Sequence, residues 1–155
     1  KKSMNATLFS PITARESTDL DVFEWAQKLE TLGAGELIVT SIDQEGTGRG
    51  YDIQLTSELS KMLKIPVIAC GGCGNKEHLK DVIMNGYADA VSASSVFHYN
   101  RLQLDTPEEK YMEEGNIEFL KKLREGKGFM SDRLNPINIT EAKKYLVSQG
   151  INCRI

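Results

Sequence analysis

The sequence predicts an α/β protein with a parallel sheet, because short apolar runs alternate along the chain with amphipathic, helix-like segments. The runs are ELIVTSI at 36–42, IPVIAC at 65–70 and ADAVSA at 88–93. Turn residues bound these runs and β-branched residues enrich the first two, a pattern typical of buried parallel strands. Because helices separate the runs and the connections are short, we expect right-handed helix–strand repeats.

Four amphipathic segments are predicted to be helices, at about 18–32, 55–63, 75–85 and 140–149. Thr18 to Asp21 supply an N-cap and an acidic first turn for the first helix. Asn75 is expected to cap the third helix, and Gly86 to end it as a C′ glycine would. The last helix is expected to start with a cap region at Thr140 and Glu141. The residues expected to face inward are Leu20, Phe23, Trp25, Ala26 and Leu29 in the first helix and Ala142, Tyr145 and Leu146 in the last.

The 155 residues are sufficient for a single domain, 1–155, with an insertion at about 99–133. That stretch is polar, with one helical patch at 117–123, and is either a solvated excursion or a lid-like loop. Residues 4–9 are predicted to form a short edge strand that stops at Pro11. Because the first three residues lead directly into strand-like sequence, we expect a fragment or a processed product.

Amino-acid composition and net charge limit the functional classes to which the protein can belong. The net charge is −3, from 19 basic and 22 acidic residues, with no basic stripe that would indicate nucleic-acid binding. No apolar segment approaches the ~20 residues that span a bilayer, so we expect no membrane association. Three cysteines fit a reducing cytoplasm. Cys70 and Cys73 have CxxC spacing, but no second pair accompanies them, so we expect small turn residues and neither a metal nor a cofactor.

Two turns are predicted to meet at the carboxyl edge of the sheet. Gly71, Gly72 and Gly74 follow the second strand and free the backbone for left-handed conformations. Ser94 and Ser95 follow the third strand and open another turn of helix. Backbone N–H groups at such turns, on neighbouring parallel strands, form a natural anion cradle. The residues alone therefore predict a phosphate site.

Three ordered stretches resemble a known family. They are GAGELIVTSIDQEGTGRGYD at 33–52, IPVIACGGCG at 65–74 and ADAVSASSVFH at 88–98, and they resemble the C-terminal half of the cyclase subunit of imidazole glycerol phosphate synthase. The terminal KKYLVSQGINCR resembles that family's last helix and tail. The family fold is a (β/α)8 TIM barrel of two similar half-barrels. The resemblance therefore implies the C-terminal half of such a barrel, beginning near the fifth strand, with parallel strands and outer helices.

The resemblance also implies roles for individual residues. The phosphate would be bound by the turns after strands seven and eight, at Gly71, Gly72, Ser94 and Ser95. The loop after strand six would border the substrate through Thr40, Asp43, Glu45 and Gly46. Glu36 would lie at the bottom entrance of the barrel, where ammonia from a partner glutamine amidotransferase is thought to enter. The alternatives are that Asp43 and Glu45 are solvated turn acids, that the loop glycines only add flexibility, and that Glu36 is a polar residue at a strand start.

The chain departs from the family in several places. The family's two catalytic aspartates, on strands one and five, are not in this chain, so we expect no catalytic residue here. Glu45 replaces an aspartate, Cys70 a serine and Cys73 an alanine. These changes suggest a paralogue that serves sugar amidation in lipopolysaccharide or another surface polysaccharide.

Three functions therefore remain open. The first is half of a cyclase, a lyase of histidine biosynthesis, acting with its missing N-terminal half on a phosphorylated substrate. The second is the sugar-amidation component. The third is a non-catalytic, phosphate-binding half-barrel. An uncovered inner face and two free strand edges favour association with the missing half or with a second copy.

Overall fold

A computed structural model describes residues 20–105 and 133–154 of the chain, which form one parallel sheet with helices packed against it. The sheet order is β1-β2-β3, and both strand pairs are parallel, which confirms the predicted α/β class and the partial (β/α) barrel. The predictions for 4–9 and 117–123 lie outside the described residues. No helix within the described ranges is long and apolar enough to cross a membrane. The elements of the described ranges are α1 (Val22–Thr31), β1 (Leu37–Thr40), α2 (Ile53–Met62), β2 (Val67–Cys70), α3 (Lys76–Met84), β3 (Ala90–Ser92), α4 (Ser95–Asp105) and α5 (Ile139–Ser148).

Helix α1 begins at Val22, later than the predicted start at about residue 18. Asp21 is the N-cap, and its Oδ1 accepts hydrogen bonds from the N–H groups of Phe23 at 2.8 Å and Glu24 at 3.2 Å. Ala26 is buried as predicted. The prediction that Leu20 belongs to the buried face is wrong, because that residue precedes the helix and is 49% exposed.

The caps of α3 and α5 follow the same chemistry. Asn75 is the N-cap of α3, as predicted, and its Oδ1 accepts the N–H of His78 at 3.0 Å. Helix α5 begins earlier than predicted, because Asn138 is its N-cap and accepts the N–H of Glu141 at 2.8 Å. The predicted cap role of Thr140 is therefore wrong, and that residue lies inside the helix.

At the end of α3, Gly86 has a different structural role from the predicted one. Gly86 follows the C-cap residue Asn85, as expected, but Tyr87 is the residue with a left-handed backbone, at φ 57°. A Cβ at Gly86 would lie 2.5 Å from the carbonyl oxygen of Val82. A glycine is therefore required there because the helix backbone approaches closely, and not because the backbone is left-handed.

The two faces of the sheet differ in burial. One face packs under the helices, with one core cluster near α1 and α2 and a second near α3 and α5. The other face is exposed or half-exposed, so the prediction of buried strands holds for one face only. In a closed barrel this second face would point inward. The first cluster contains Ala26, Leu59, Leu63 and Val67, and the second Tyr51, Ala69, Leu79, Val82, Ala88, Val96, Ile137, Ala142 and Leu146. The uncovered face consists of two register rows, Ile38, Ile68 and Ala90, then Thr40, Cys70 and Ser92.

Two carboxylates hold the amino end of β2. Asp89 Oδ2 accepts the N–H of Val67 at 2.9 Å. Glu30 Oε1 accepts the N–H groups of Lys64 at 2.7 Å and Ile65 at 3.2 Å. Charge-assisted hydrogen bonds of this kind are stronger than neutral ones. They attach the start of β2 to α1 and to the segment before β3, so they help to fix how the carboxyl ends of the strands align.

Candidate anion site at the carboxyl ends of the strands

A pocket lies where the turns after all three strands meet. It offers about 60 Å³ to water-sized groups, whereas a single water needs only ~10–15 Å³ of such space. The pocket therefore has room for a small polyatomic group. Its lining residues are Glu45, Gly46, Gly48, Cys70, Gly71, Gly72, Cys73, Ser92, Ala93, Ser94 and Ser95.

The glycine turn after β2 has the conformation that the sequence predicts. Gly71 and Gly72 have left-handed φ values of 98° and 94°, which residues with a Cβ rarely adopt. Among the described residues, the N–H groups of Gly72 and Cys73 donate to no protein acceptor. Unpaired backbone N–H groups in a concave turn can bind an anion without a basic side chain.

The loop after β1 packs backbone to backbone against this turn. Gly50 N–H donates to the carbonyl of Gly72 at 2.8 Å, and a Cβ on Gly72 would overlap the carbonyl oxygen of Gly50. A Cβ on Gly74 would likewise overlap the carbonyl of Gly48. Gly48 and Gly50 are both buried, with φ values of 65° and 110°. These two loop glycines therefore serve close packing, and flexibility alone does not account for them.

The segment that returns after residue 132 also reaches this turn. Asn135 N–H donates to the carbonyl of Gly74 at 2.7 Å, and Ile137 N–H donates to the carbonyl of Val96 at 3.1 Å. Residues 135–137 therefore connect the glycine turn to the start of α4. No local sequence pattern indicated this contact, because the segment borders the predicted insertion.

The serine turn after β3 opens α4, as predicted. The carbonyl of Ser94 accepts the N–H groups of Phe97 at 3.0 Å and His98 at 2.9 Å, which closes the first turn. The helix continues to Asp105, beyond the single turn that the sequence indicated. Ser94 and Ser95 line the pocket, and their hydroxyl groups can donate to an anion there.

Only some of the predicted substrate-loop residues lie at the pocket. Glu45 and Gly46 line the pocket, whereas Asp43 and Thr40 are exposed and are not among the lining residues. Glu45 Oε2 lies 3.0 Å from the point that a Cβ on Gly71 would occupy. A carboxylate this close to the turn repels a second anion. Glu45 is therefore placed to contact a polar or cationic part of a ligand whose anionic group binds in the turn.

Glu36 lies at the other end of the sheet. It immediately precedes β1 and is exposed, whereas the pocket adjoins the carboxyl ends of the strands. This position agrees with the barrel-bottom location that the resemblance implies. Its role in ammonia entry stays a prediction.

His78 is a site-supporting residue that sequence reasoning missed. It is half-buried, and its Nδ1 accepts the N–H of Gly74 at 3.1 Å. Burial lowers the pKa of His78, and the carboxylates of Asp81 and Glu77 oppose that shift. A usable signal was its position three residues after the N-cap Asn75, from which a side chain reaches back to the preceding backbone.

Cys70 and Cys73 are free thiols that line the pocket and are half-buried. Burial raises the pKa of the Cys73 thiol, against the lowering effect of hydrogen bonds with Tyr51 and Asn75. Within 20–105 and 133–154, no group of three or more His, Cys, Asp or Glu side chains is arranged to hold a metal ion.

This fold and pocket define a class of protein, the partial (β/α) barrel with a glycine- and serine-lined pocket at the carboxyl ends of its strands. The chain belongs to the family described as "Histidine biosynthesis protein", whose model matches residues 12–103. This confirms the family resemblance over that range. The resemblance of the terminal helix lies beyond the matched residues and stays a prediction.

Curated relatives carry a more specific name. The chain is 48% identical over 101 residues to "Imidazole glycerol phosphate synthase subunit HisF" of Methanopyrus kandleri, which covers 65% of this chain and 37% of the relative. A protein of the same name from Clostridium botulinum is 48% identical over 101 residues, or 65% of this chain and 40% of the relative. One from Methanococcus maripaludis is 46% identical over 103 residues, or 66% of this chain and 38% of the relative. The matches therefore span about two fifths of the length of these relatives.

A solved structure shows a weaker likeness. The crystal structure of the Amycolatopsis orientalis BexX/CysO complex matches with a TM-score of 0.43 and 19% identity, over 86% of this chain and 43% of that one. This likeness carries no argument about function.

Proposed function

We propose that this chain is the C-terminal half of a cyclase of the imidazole glycerol phosphate synthase type and binds a phosphate group of its substrate. The proposal rests chiefly on the pocket, in which Gly71, Gly72, Ser94 and Ser95 converge from two neighbouring strands. The name shared by relatives at 46–48% identity supports the same reading. Turns at the carboxyl ends of strands seven and eight are a frequent phosphate site in (β/α)8 barrels.

In this proposal the phosphate is held by backbone N–H groups and serine hydroxyls, and no lining residue is basic. Glu45 and Gly46 border the uncharged or cationic part of the substrate. Asp43 and Thr40 contribute to the loop and to the inner wall, in positions that only a complete barrel brings to the substrate.

Catalysis requires a second part of the barrel. The family's two aspartates, on strands one and five, would come from parts of the barrel outside this sequence. The N-terminal half would also cover the exposed rows that include Ile38 and Ile68. Ammonia would arrive from a glutamine amidotransferase subunit through the barrel bottom, where Glu36 lies. The assembled enzyme would be a lyase of histidine biosynthesis in the cytoplasm.

The alternatives differ in the reaction and share the pocket. Sugar amidation rests on the departures at Glu45, Cys70 and Cys73. Non-catalytic phosphate binding rests on the pocket by itself, because its lining can hold a phosphate without any reaction. The name of the relatives favours the histidine pathway over both.

Phosphate binding can be tested by isothermal titration calorimetry with inorganic phosphate and glycerol phosphate, and with glycerol as the uncharged comparison. We expect both phosphates, and not glycerol, to bind. Gly72→Asp should abolish binding, because it fills the turn and adds a like charge. Gly35→Asp is the matched control, since Gly35 lies before β1 with no atom within 4 Å of an added Cβ. The site is refuted if the wild-type chain shows no saturable binding, or if Gly72→Asp binds as tightly as wild type.

Cyclase function can be tested by complementation. The chain would be mixed with the part of the Methanopyrus kandleri relative that it does not match, and ring formation would be measured with ammonium as the nitrogen source. We expect turnover from the mixture and none from either part alone. Phosphate binding without turnover in a stable complex would favour the alternatives.

A further inference from the structure

Tyr51 occupies a central place behind the pocket, and the proposed function gives it no role. Its side chain is 5% exposed and belongs to the larger core cluster. Its neighbours in sequence are fixed on both sides, because Gly50 N–H bonds to the carbonyl of Gly72 and Asp52 caps α2 by accepting the N–H of Leu55 at 3.0 Å. The backbone at Tyr51 is therefore fixed by hydrogen bonds that do not involve its own side chain.

The Tyr51 hydroxyl joins the ends of the other two strands. It donates a hydrogen bond to the carbonyl oxygen of Ser92, the last residue of β3, at 2.9 Å. Cys73, in the turn after β2, lies close enough to the same hydroxyl to contribute to the shift of its pKa. Burial first, and Cys73 second, raises the pKa of Tyr51 far above its usual value, so the hydroxyl keeps its proton at neutral pH.

This link matters because the sheet pairing ends just before the pocket. The β2–β3 register ends with Cys70 opposite Ser92. Within the described residues, no backbone hydrogen bond joins the 93–95 segment to the glycine turn. The two pocket walls are therefore joined indirectly. Residues 135–137 connect Gly74 to Val96 through backbone hydrogen bonds. Tyr51 forms a second connection, because its hydroxyl bonds to Ser92 while the N–H of the preceding Gly50 bonds to the carbonyl of Gly72.

We infer that Tyr51 is a positioning residue for the anion pocket. Its hydroxyl holds the Ser92 carbonyl while the adjacent Gly50 holds the Gly72 carbonyl, so that the serine and glycine turns converge on one ligand. The inference rests on the proposed phosphate site, because it concerns the geometry of that site. Tyr51 does not line the pocket, so it acts through the turns and does not contact the ligand.

The test is Tyr51→Phe in the full 155-residue chain, titrated with inorganic phosphate. Losing one neutral hydrogen bond that sets the pocket geometry should weaken phosphate binding about three- to tenfold. Tyr145→Phe is the matched control, because that half-buried ring lies on α5 beside Lys76, away from the pocket lining. Leu63→Ala, in the other core cluster, controls for general destabilisation. Both controls should keep wild-type phosphate affinity.

A second readout separates positioning from stability. Amide chemical shifts of Ser94 and Ser95, measured without phosphate, should move in Tyr51→Phe and stay unchanged in Leu63→Ala. If Tyr51→Phe does not fold, the wild-type hydroxyl proton should give a slowly exchanging resonance close to Ser92, and its absence overturns the inference. The inference is also overturned if wild type binds phosphate and Tyr51→Phe binds it with the same affinity. No phosphate binding by wild type refutes the proposed function itself.

Discussion

Replacement of Gly72 by alanine is expected to test how closely the two glycine-rich loops approach. Gly72 has φ 94°, so an alanine would occupy a left-handed conformation, at a cost of ~1–2 kcal/mol. Its Cβ would also overlap the Gly50 carbonyl oxygen and lie 2.9 Å from the Cβ of Gln44. Relief of that overlap would break the hydrogen bond from Gly50 N–H to the Gly72 carbonyl, which is worth ~0.5–1.5 kcal/mol. We therefore expect the free energy of unfolding to fall by about 1.5–3.5 kcal/mol.

The matched control is Gly33→Ala. Gly33 has φ 97°, nearly the same backbone conformation, but no atom lies within 4 Å of an added Cβ. This variant should therefore show the backbone cost alone. Urea unfolding followed by circular dichroism gives both values, and phosphate titration should show weakened binding only for the Gly72 variant. Equal destabilisation of the two variants, with unchanged phosphate affinity, would refute the close-packing argument.

Three further outcomes are expected. Asp89→Ala should lower the free energy of unfolding by about 1–3 kcal/mol, because it leaves the part-buried Val67 N–H unpaired, and an unchanged urea midpoint would contradict this. Because burial lowers the pKa of His78 below that of the unfolded chain, its contribution to stability is present above about pH 6.5 and is lost as pH falls through the folded value. Thermal unfolding between pH 7.5 and 5.5 should show this loss in wild type but not in His78→Gln, which keeps an acceptor for the Gly74 N–H. Ile38→Glu should change the chain's own free energy of unfolding by less than about 0.5 kcal/mol, since Ile38 is 65% exposed. The same variant should prevent complementation by the other part of the barrel. Retained turnover would argue that this face of the sheet is not covered.

The fold class could be predicted from sequence because its signals are local. Alternation of apolar runs with amphipathic segments predicted the order of helices and strands, and cap chemistry placed the start of α3 after Asn75. For α1 the prediction started at about residue 18, whereas Asp21 is the N-cap. Boundaries were less certain where two capping residues lay close together. At α5, Asn138 is the N-cap, and Thr140, the predicted cap residue, lies inside the helix.

The candidate site was predicted in part. The glycine and serine turns follow their strands directly, so parallel pairing was enough to bring Gly71, Gly72, Ser94 and Ser95 together. The 43–46 loop is longer and turns back on itself, with Glu45 N–H bonded to the Ser41 carbonyl at 2.9 Å. Sequence adjacency therefore did not indicate which of its acids would face the pocket, and only Glu45 does.

Sequence alone determined the α/β class, the parallel order of strands and the two turns that line the pocket, because each depends on residues close together in the chain. Tertiary structure decided which contacts hold those turns in place. The approach of Gly50 to Gly72, the hydrogen bond from Tyr51 to Ser92 across 41 positions, and the hydrogen bond from Asn135 to Gly74 all join distant segments. Such contacts depend on how elements pack in three dimensions, and no local pattern encodes them.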